Sequence, residues 1–126
     1  MIDVDKFKSV NDGYGHETGD SLLKQVAAVL KEKFRTQDVV GRLGGDEFAV
    51  WIDRVSRENA SYITERIKKI NHELLHPESD LPKISLSVGI SFAEKRDQFK
   101  DIYKKSDDAL YKVKENGRCG SALCEK

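Results

Sequence analysis

Two consecutive glycines, Gly44-Gly45, separate the apolar residues Val39, Val40 and Leu43 from a second apolar run, Phe48, Ala49, Val50, Trp51 and Ile52. Strand-forming residues on both sides predict a tight hairpin there, because glycine takes φ > 0 without steric penalty. The tip carries two adjacent carboxylates, Asp46 and Glu47, beside backbone that no side chain obstructs. A large ligand can lie against such backbone, and hard carboxylate oxygens can hold a metal ion next to it. Gly-Gly-Asp-Glu by itself equally describes a solvated turn. Other residues must decide.

The chain has 126 residues, of which 35% are charged and 38% hydrophobic, with two prolines. That is enough for one core and too apolar for a disordered tail, so residues 1–126 are expected to form a single domain. No repeat, linker or low-complexity segment suggests another. A formal net charge of zero leaves no global field to favour nucleic acid or an anionic membrane, so phosphate binding must rest on local basic groups. No apolar run approaches the ~20 residues that span a bilayer, and no signal peptide pattern is present. Cys119 and Cys124 have no partner cysteines or nearby histidines, so reduced thiols are expected, without a disulfide or zinc framework.

Met1 to Asp5 forms a short strand in which Asp3 and Asp5 alternate with Ile2 and Val4, sending both carboxylates to one face. A dry core on that face is excluded unless a cation or hydrogen-bond donors compensate. Phe7 to His16 is expected to be a short helical turn followed by a loop at Asn11-Asp12-Gly13. From about Gly19 to Phe34, Leu22, Val26, Leu30 and Phe34 recur every four residues, beside Leu23 and Ala27, as the apolar face of an amphipathic helix. Asp20 falls where that helix begins and suits an N-cap; Asn11 and Asp20 also offer a donor and acceptors to a polar ligand. Ser56 is a candidate cap for a helix to about His76, with Ile63, Ile67, Ile70 and Leu74 inward and Glu65, Arg66, Lys68 and Lys69 in solvent. His72 and His76 lack acidic companions and suit a solvated helix end. Ile84, Leu86, Val88 and Ile90 alternate as a strand. A last helix from about Asp97 buries Phe99, Ile102, Tyr103, Ser106, Ala109, Leu110 and Val113, stops at Asn116-Gly117, and precedes a short edge strand at Ser121 to Cys124.

Several of these residues form ordered blocks: Asp3-Val4-Asp5-Lys6-Phe7-Lys8, Asn11-Asp12, Gly15-His16, Gly19-Asp20, Gly44-Gly45-Asp46-Glu47-Phe48, Ser87-Val88-Gly89-Ile90, Ala109-Leu110-Tyr111 and Lys114-Glu115-Asn116-Gly117-Arg118. In order and spacing the chain resembles the GGDEF family of diguanylate cyclases from residue 1 to about 118. The resemblance implies an α/β fold, an α+β sandwich like nucleotide cyclases and the polymerase palm, with a central, mostly antiparallel sheet flanked by helices. It implies condensation of two GTP molecules into cyclic di-GMP with release of pyrophosphate. Asp3 and Asp46 are then metal ligands, assisted by the Val4 carbonyl, and Glu47 is either a further ligand or the group that activates the attacking hydroxyl. The metal implied is Mg²⁺ or Mn²⁺, two per active site.

Lys6, Phe7 and Lys8 are expected to cradle phosphates through their amides, Lys114 and Arg118 to hold the triphosphate, and Asn11 and Asp20 to contact guanine. Gly44 and Gly45 let the nucleotide lie against the hairpin. Arg35 and Asp38, an Arg-x-x-Asp five residues before Gly44, correspond to the family's inhibitory cyclic di-GMP site; taken alone they suit a helix-end cation and a loop acid. One set of groups per domain and two nucleotides per product imply a homodimer, and a sensor or regulatory domain in the parent protein is expected to promote it. The domain is expected in the cytoplasm, in a parent protein free to be membrane-anchored. Relatives carry a further helix and the start of the first strand upstream, so the start at Met1 is expected to be a truncation; Cys119 stands where they usually have asparagine. Two other readings are a non-catalytic module that binds cyclic di-GMP or GTP, and a protein-interaction module with a vestigial site.

Overall fold

The structure is a computed structural model and describes residues 1–125. Five strands form one sheet: β1 (Ile2–Val4), β2 (Val39–Gly44), β3 (Glu47–Trp51), β4 (Leu86–Ile90) and β5 (Gly120–Leu123), in spatial order β2-β3-β1-β4-β5. Four helices accompany them: α1 (Phe7–Tyr14), α2 (His16–Lys33), α3 (Ser61–Leu75) and α4 (Phe99–Glu115). The first four strands in that order pair antiparallel, and only β4 and β5 run parallel. The mixed, mostly antiparallel α/β architecture agrees with the expectation.

Pleat and register sort the side chains into two faces. Ile2, Val4, Phe48, Leu86 and Val88 point to one side, where Leu22, Val26 and Leu30 of α2 and Ile63, Ile67 and Ile70 of α3 complete the core. Each such enclosed side chain contributes about 1.5–3 kcal/mol. On the opposite face lie Asp3, paired with Glu47 and Ser87, and Gly89. A Cβ on Gly89 would stand 2.1 Å from the Ser106 carbonyl oxygen, so glycine is what lets α4 settle directly on β4.

Several elements differ from their expected form. Asn11-Asp12-Gly13 is helical, and the break falls at Gly15, whose φ of +92° ends α1 and caps α2. α2 therefore starts at His16, three residues early, and Asp20 sits inside its second turn, where it cannot be the N-cap. The helix expected from Ser56 is divided into a 3-10 turn, Arg57–Asn59, and α3. On α4, Ser106, Ala109, Leu110 and Val113 are buried as expected, but Phe99 and Tyr103 are exposed and lie 6.1 Å apart, ring to ring. Arg66 is half-buried over the rings of Phe34 and Tyr62, at 5.6 and 5.4 Å. Its aliphatic stem packs while its charge meets aromatic faces, so it does not belong to the solvated side of α3. Val39 and Leu43 are exposed because β2 is the sheet's edge.

Candidate active site

The β2–β3 hairpin closes with Gly44 opposite Glu47. Gly44 (φ +152°) and Gly45 (φ +50°) both occupy backbone regions that favour glycine, and Arg42 Nε donates to the Gly45 carbonyl at 2.8 Å. Leu43 is the extra residue of a bulge between Arg42 and Gly44. This turn delivers Asp46 beside β1, where the Val4 amide donates to the Asp46 carbonyl at 3.1 Å. The antiparallel ladder alternates, with Met1 and Gly89 exchanging both hydrogen bonds across β1 and β4. Residues 1, 3 and 5 thus direct their backbone groups to β4, and Val4 directs its carbonyl toward the hairpin.

Asp3 and Asp46 meet at this junction. Burial, and next the charge of Asp3 with that of Glu47 adding to it, raise the Asp46 carboxyl above its ordinary value. The Asp3 Oδ2 atom accepts from the Lys114 ammonium at the end of α4, whereas Oδ1 is buried with no hydrogen-bond partner. An acid whose charge is disfavoured beside a second acid with a bare oxygen fits a hard cation. Among the described residues no three Asp, Glu, His or Cys side chains converge into a complete cage. Mg²⁺ is commonly held by one or two carboxylates together with water and substrate phosphates, so a partial protein set fits it. Asp5 is already committed: it accepts from the hydroxyls of Ser85 (2.7 Å) and Ser87 (2.6 Å) and from the Cys119 amide (3.0 Å). It shares the face of Asp3 but braces β1 against β4 and the approach to β5.

Lys6 precedes α1 in a left-handed conformation, φ +54°, with no side-chain cap. The first-turn amides of α1, including those of Phe7 and Lys8, lack intrahelical acceptors and remain free for an anion. Lys6 and Arg118 line one open cleft of about 1270 Å³ between α1, the 76–85 loop and the turn after α4. Arg118 is placed there by the helix end: Gly117 (φ +100°) reverses the chain and the Arg118 amide donates to Val113 O at 2.9 Å. Asn11 Oδ1 is buried without a partner, and a Cβ on Gly19 would lie 1.9 Å from it. Glycine at 19 therefore makes room for the Asn11 side chain. Asp20, next in sequence and exposed, lines a groove of about 450 Å³ with Lys24, Gly41, Arg42 and Phe48, between α2 and the hairpin.

Arg35 and Asp38 lie at the other end of β2 from Gly44. The Asp38 side chain is fully enclosed and accepts from the Arg35 amide (2.9 Å), Nε (3.2 Å) and Nη2 (3.0 Å). Burial alone would raise its pKa, but the hydrogen bonds and charge of Arg35 hold it below the ordinary value. Arg35 Nη2 also donates to the Asp53 carbonyl at 2.6 Å. Sequence patterning did not single out the nearby Tyr62 and Arg66, although Tyr62 Oη and Arg66 Nη1 are buried without partners. Their signal was an arginine and a tyrosine one turn apart, a common spacing on any helix.

A separate apolar cavity of about 300 Å³, lined by Met1, Trp51, Ile52, Ile63, Ile67 and Ile102 among others, lies between the outer ends of β3 and β4. Asp53 is the one acid in its lining. Among the described residues no helix is long and apolar enough to cross a membrane.

Comparison with known proteins bears on this arrangement. The family model for "Diguanylate cyclase, GGDEF domain" matches residues 1–119. The chain is 37% identical over 120 residues to diguanylate cyclase A of Treponema denticola, covering 94% of this chain and 32% of that protein. It is 38% identical over 120 residues to the uncharacterized protein YtrP of Bacillus subtilis, covering 94% of this chain and 20% of YtrP. The chain thus spans a third or less of the length of these two relatives. Among solved structures, the GGDEF domain of DgcB from Caulobacter crescentus, in complex with c-di-GMP, superposes with a TM-score of 0.87 at 29% identity. That match covers 99% of this chain and 75% of the other.

Proposed function

The chain belongs to the diguanylate cyclase GGDEF domain family, and from that membership we propose that it condenses two molecules of GTP into cyclic di-GMP. One observation carries the reading: Asp3 and Asp46, from separate elements, meet beside a side-chain-free hairpin and leave a buried carboxylate oxygen bare. A surface turn has no reason to bring two acids together. A receptor that only bound the product would have no use for the pair.

In each half-reaction the 3′-oxygen of one GTP attacks the α-phosphorus of the other. The new P–O bond forms as the bond to the β-phosphate bridge breaks, pyrophosphate leaves, and the hydroxyl proton passes to a base. Asp3, Asp46 and the Val4 carbonyl would hold a divalent cation, Mg²⁺ or Mn²⁺. Such an ion, when bound, lowers the pKa of the attacking hydroxyl and offsets charge on the leaving group. Glu47, beside Asp3 across the β1–β3 pair, accepts the proton or completes the ligand set. The free amides of Phe7 and Lys8, the backbone at Lys6, and the side chains of Lys114 and Arg118 bind the triphosphate. Asn11, whose Oδ1 is without a partner, contacts guanine, with Asp20 accepting from the base at the α2 groove. Gly44 and Gly45 leave the nucleotide room to lie flat. Because each domain holds one such set, two copies meet face to face across a two-fold axis.

A second site is favoured by the far end of the hairpin. Arg35 presents a guanidinium fixed by Asp38, with the unpartnered Tyr62 Oη and Arg66 Nη1 close by. Planar guanidinium groups suit phosphate and guanine edges, so product binding there, with inhibition, is the natural use. Asp38 acts chiefly by orienting Arg35, since its own oxygens are already occupied.

Incubation with GTP and Mg²⁺, analysed by chromatography and mass spectrometry, tests the proposal. Cyclic di-GMP is expected from the parent chain and none from Asp46→Ala. Cyclic di-GMP bound at Arg35 with no turnover in either would instead favour the regulatory module.

A further inference from the structure

We infer that Lys114 is the resident counter-ion of Asp3, released when nucleotide binds, so that metal and nucleotide bind this chain cooperatively. The inference rests on the metal-site reading of Asp3 and Asp46 given above. Asp3 is nearly enclosed, its side chain 13% exposed, yet its oxygens differ: Oδ2 accepts from the Lys114 ammonium while Oδ1 has no donor. A buried carboxylate in that state is short of positive charge, and its neighbours Asp46 and Glu47 are also acids. Lys114 supplies the charge from the last turn of α4, a helix fixed to the sheet by the close approach of Ser106 and Leu110 to Gly89. Lys112, two residues earlier, turns away to Glu125, and Arg118 is exposed beyond the helix end. Among the described residues Lys114 is the one cation in an ion pair with Asp3, Asp46 or Glu47.

A divalent cation at Asp3 Oδ1 and the Lys114 ammonium on Oδ2 compete for the charge of one carboxylate. The triphosphate offers the ammonium another anion within reach of a flexible four-carbon stem. Once Lys114 turns to phosphate, both Asp3 oxygens are open to the cation. Linkage makes the coupling mutual: nucleotide strengthens metal binding and metal strengthens nucleotide binding to the same extent. Metal alone meets a carboxylate that already carries the Lys114 ammonium.

The experiment titrates the full chain with Mn²⁺ alone, following free Mn²⁺ by electron paramagnetic resonance. Lys114→Gln is expected to tighten Mn²⁺ binding by about tenfold, the scale of one partly exposed ion pair removed from competition. Lys112→Gln, which removes an equal charge without touching the site, is expected to stay within about twofold. A non-reactive GTP analogue is expected to close the gap between Lys114→Gln and the parent. Unchanged or weaker Mn²⁺ binding by Lys114→Gln, or no binding by any variant, overturns the inference. Asp3→Asn separates the two levels: Mn²⁺ affinity that survives it removes the metal-site reading itself. A second readout avoids any folding defect, since the Lys114 side-chain ¹⁵N resonance of the parent chain is expected to move on Mg²⁺ addition. A resonance that stays still at saturation counts against the exchange.

Discussion

Asn11, Arg35 and Cys119 show how much depends on single backbone or side-chain placements. A Cβ at Gly19 would overlap the Asn11 oxygen, yet alanine is otherwise about 1 kcal/mol better than glycine within a helix. Gly19→Ala is therefore expected to leave thermal stability unchanged or slightly raised while GTP affinity falls about tenfold, the scale of one lost buried hydrogen bond. Calorimetric titration beside a melting curve separates the two effects. At Arg35, removal of the guanidinium leaves the enclosed Asp38 carboxylate without its charged partner. Because the folded Asp38 pKa lies below its unfolded value, its stabilisation is present above about pH 3.9 and is lost as pH falls through the folded pKa. Arg35→Gln is expected to lower the urea midpoint at pH 7, with the gap to the parent closing in strong acid. Cys119 takes a left-handed backbone, φ +51°, which asparagine adopts more readily than cysteine. Cys119→Asn is expected to stabilise the chain by about 1 kcal/mol in urea unfolding.

Among elements, the packing of α4 on β4 matters most, because it brings Lys114 to Asp3. Gly89→Ala would drive a methyl group into the Ser106 carbonyl and the Leu110 amide, neither of which can rotate away. A loss of about 2–3 kcal/mol is expected from urea unfolding, with weaker nucleotide binding as α4 shifts. The elements also show what the sequence could tell. Leu22, Val26, Leu30 and Phe34 lie buried at their four-residue spacing, and the paired glycines form the hairpin, because periodicity and φ > 0 are local properties. The start of α2 was missed because Asn11-Asp12-Gly13 has turn composition, and tertiary contacts of Phe7 and Val10 hold it helical instead. Phe99 and Tyr103 have core composition at helical spacing, yet both are exposed, a matter of tertiary packing that the spacing does not encode. The ion pair between Asp3 and Lys114 joins residues 111 positions apart, which no local pattern encodes. The partnerless oxygen of Asp3 is likewise a property of packing alone.

At the scale of the molecule, one face of the sheet is closed by α1, α2 and α3, and the acids stand on the other, beside the end of α4. The proposed reaction places one nucleotide at each such site and joins two in the product, so the proposal requires an encounter between copies. The most direct test is the initial rate of cyclic di-GMP formation from GTP and Mg²⁺, measured over a hundredfold range of protein concentration. The proposal expects specific activity to climb with concentration in the parent chain and product to be absent in Asp46→Ala throughout. Specific activity independent of concentration would contradict the face-to-face arrangement. GTP bound at every concentration without any cyclic di-GMP would contradict the cyclase reading itself.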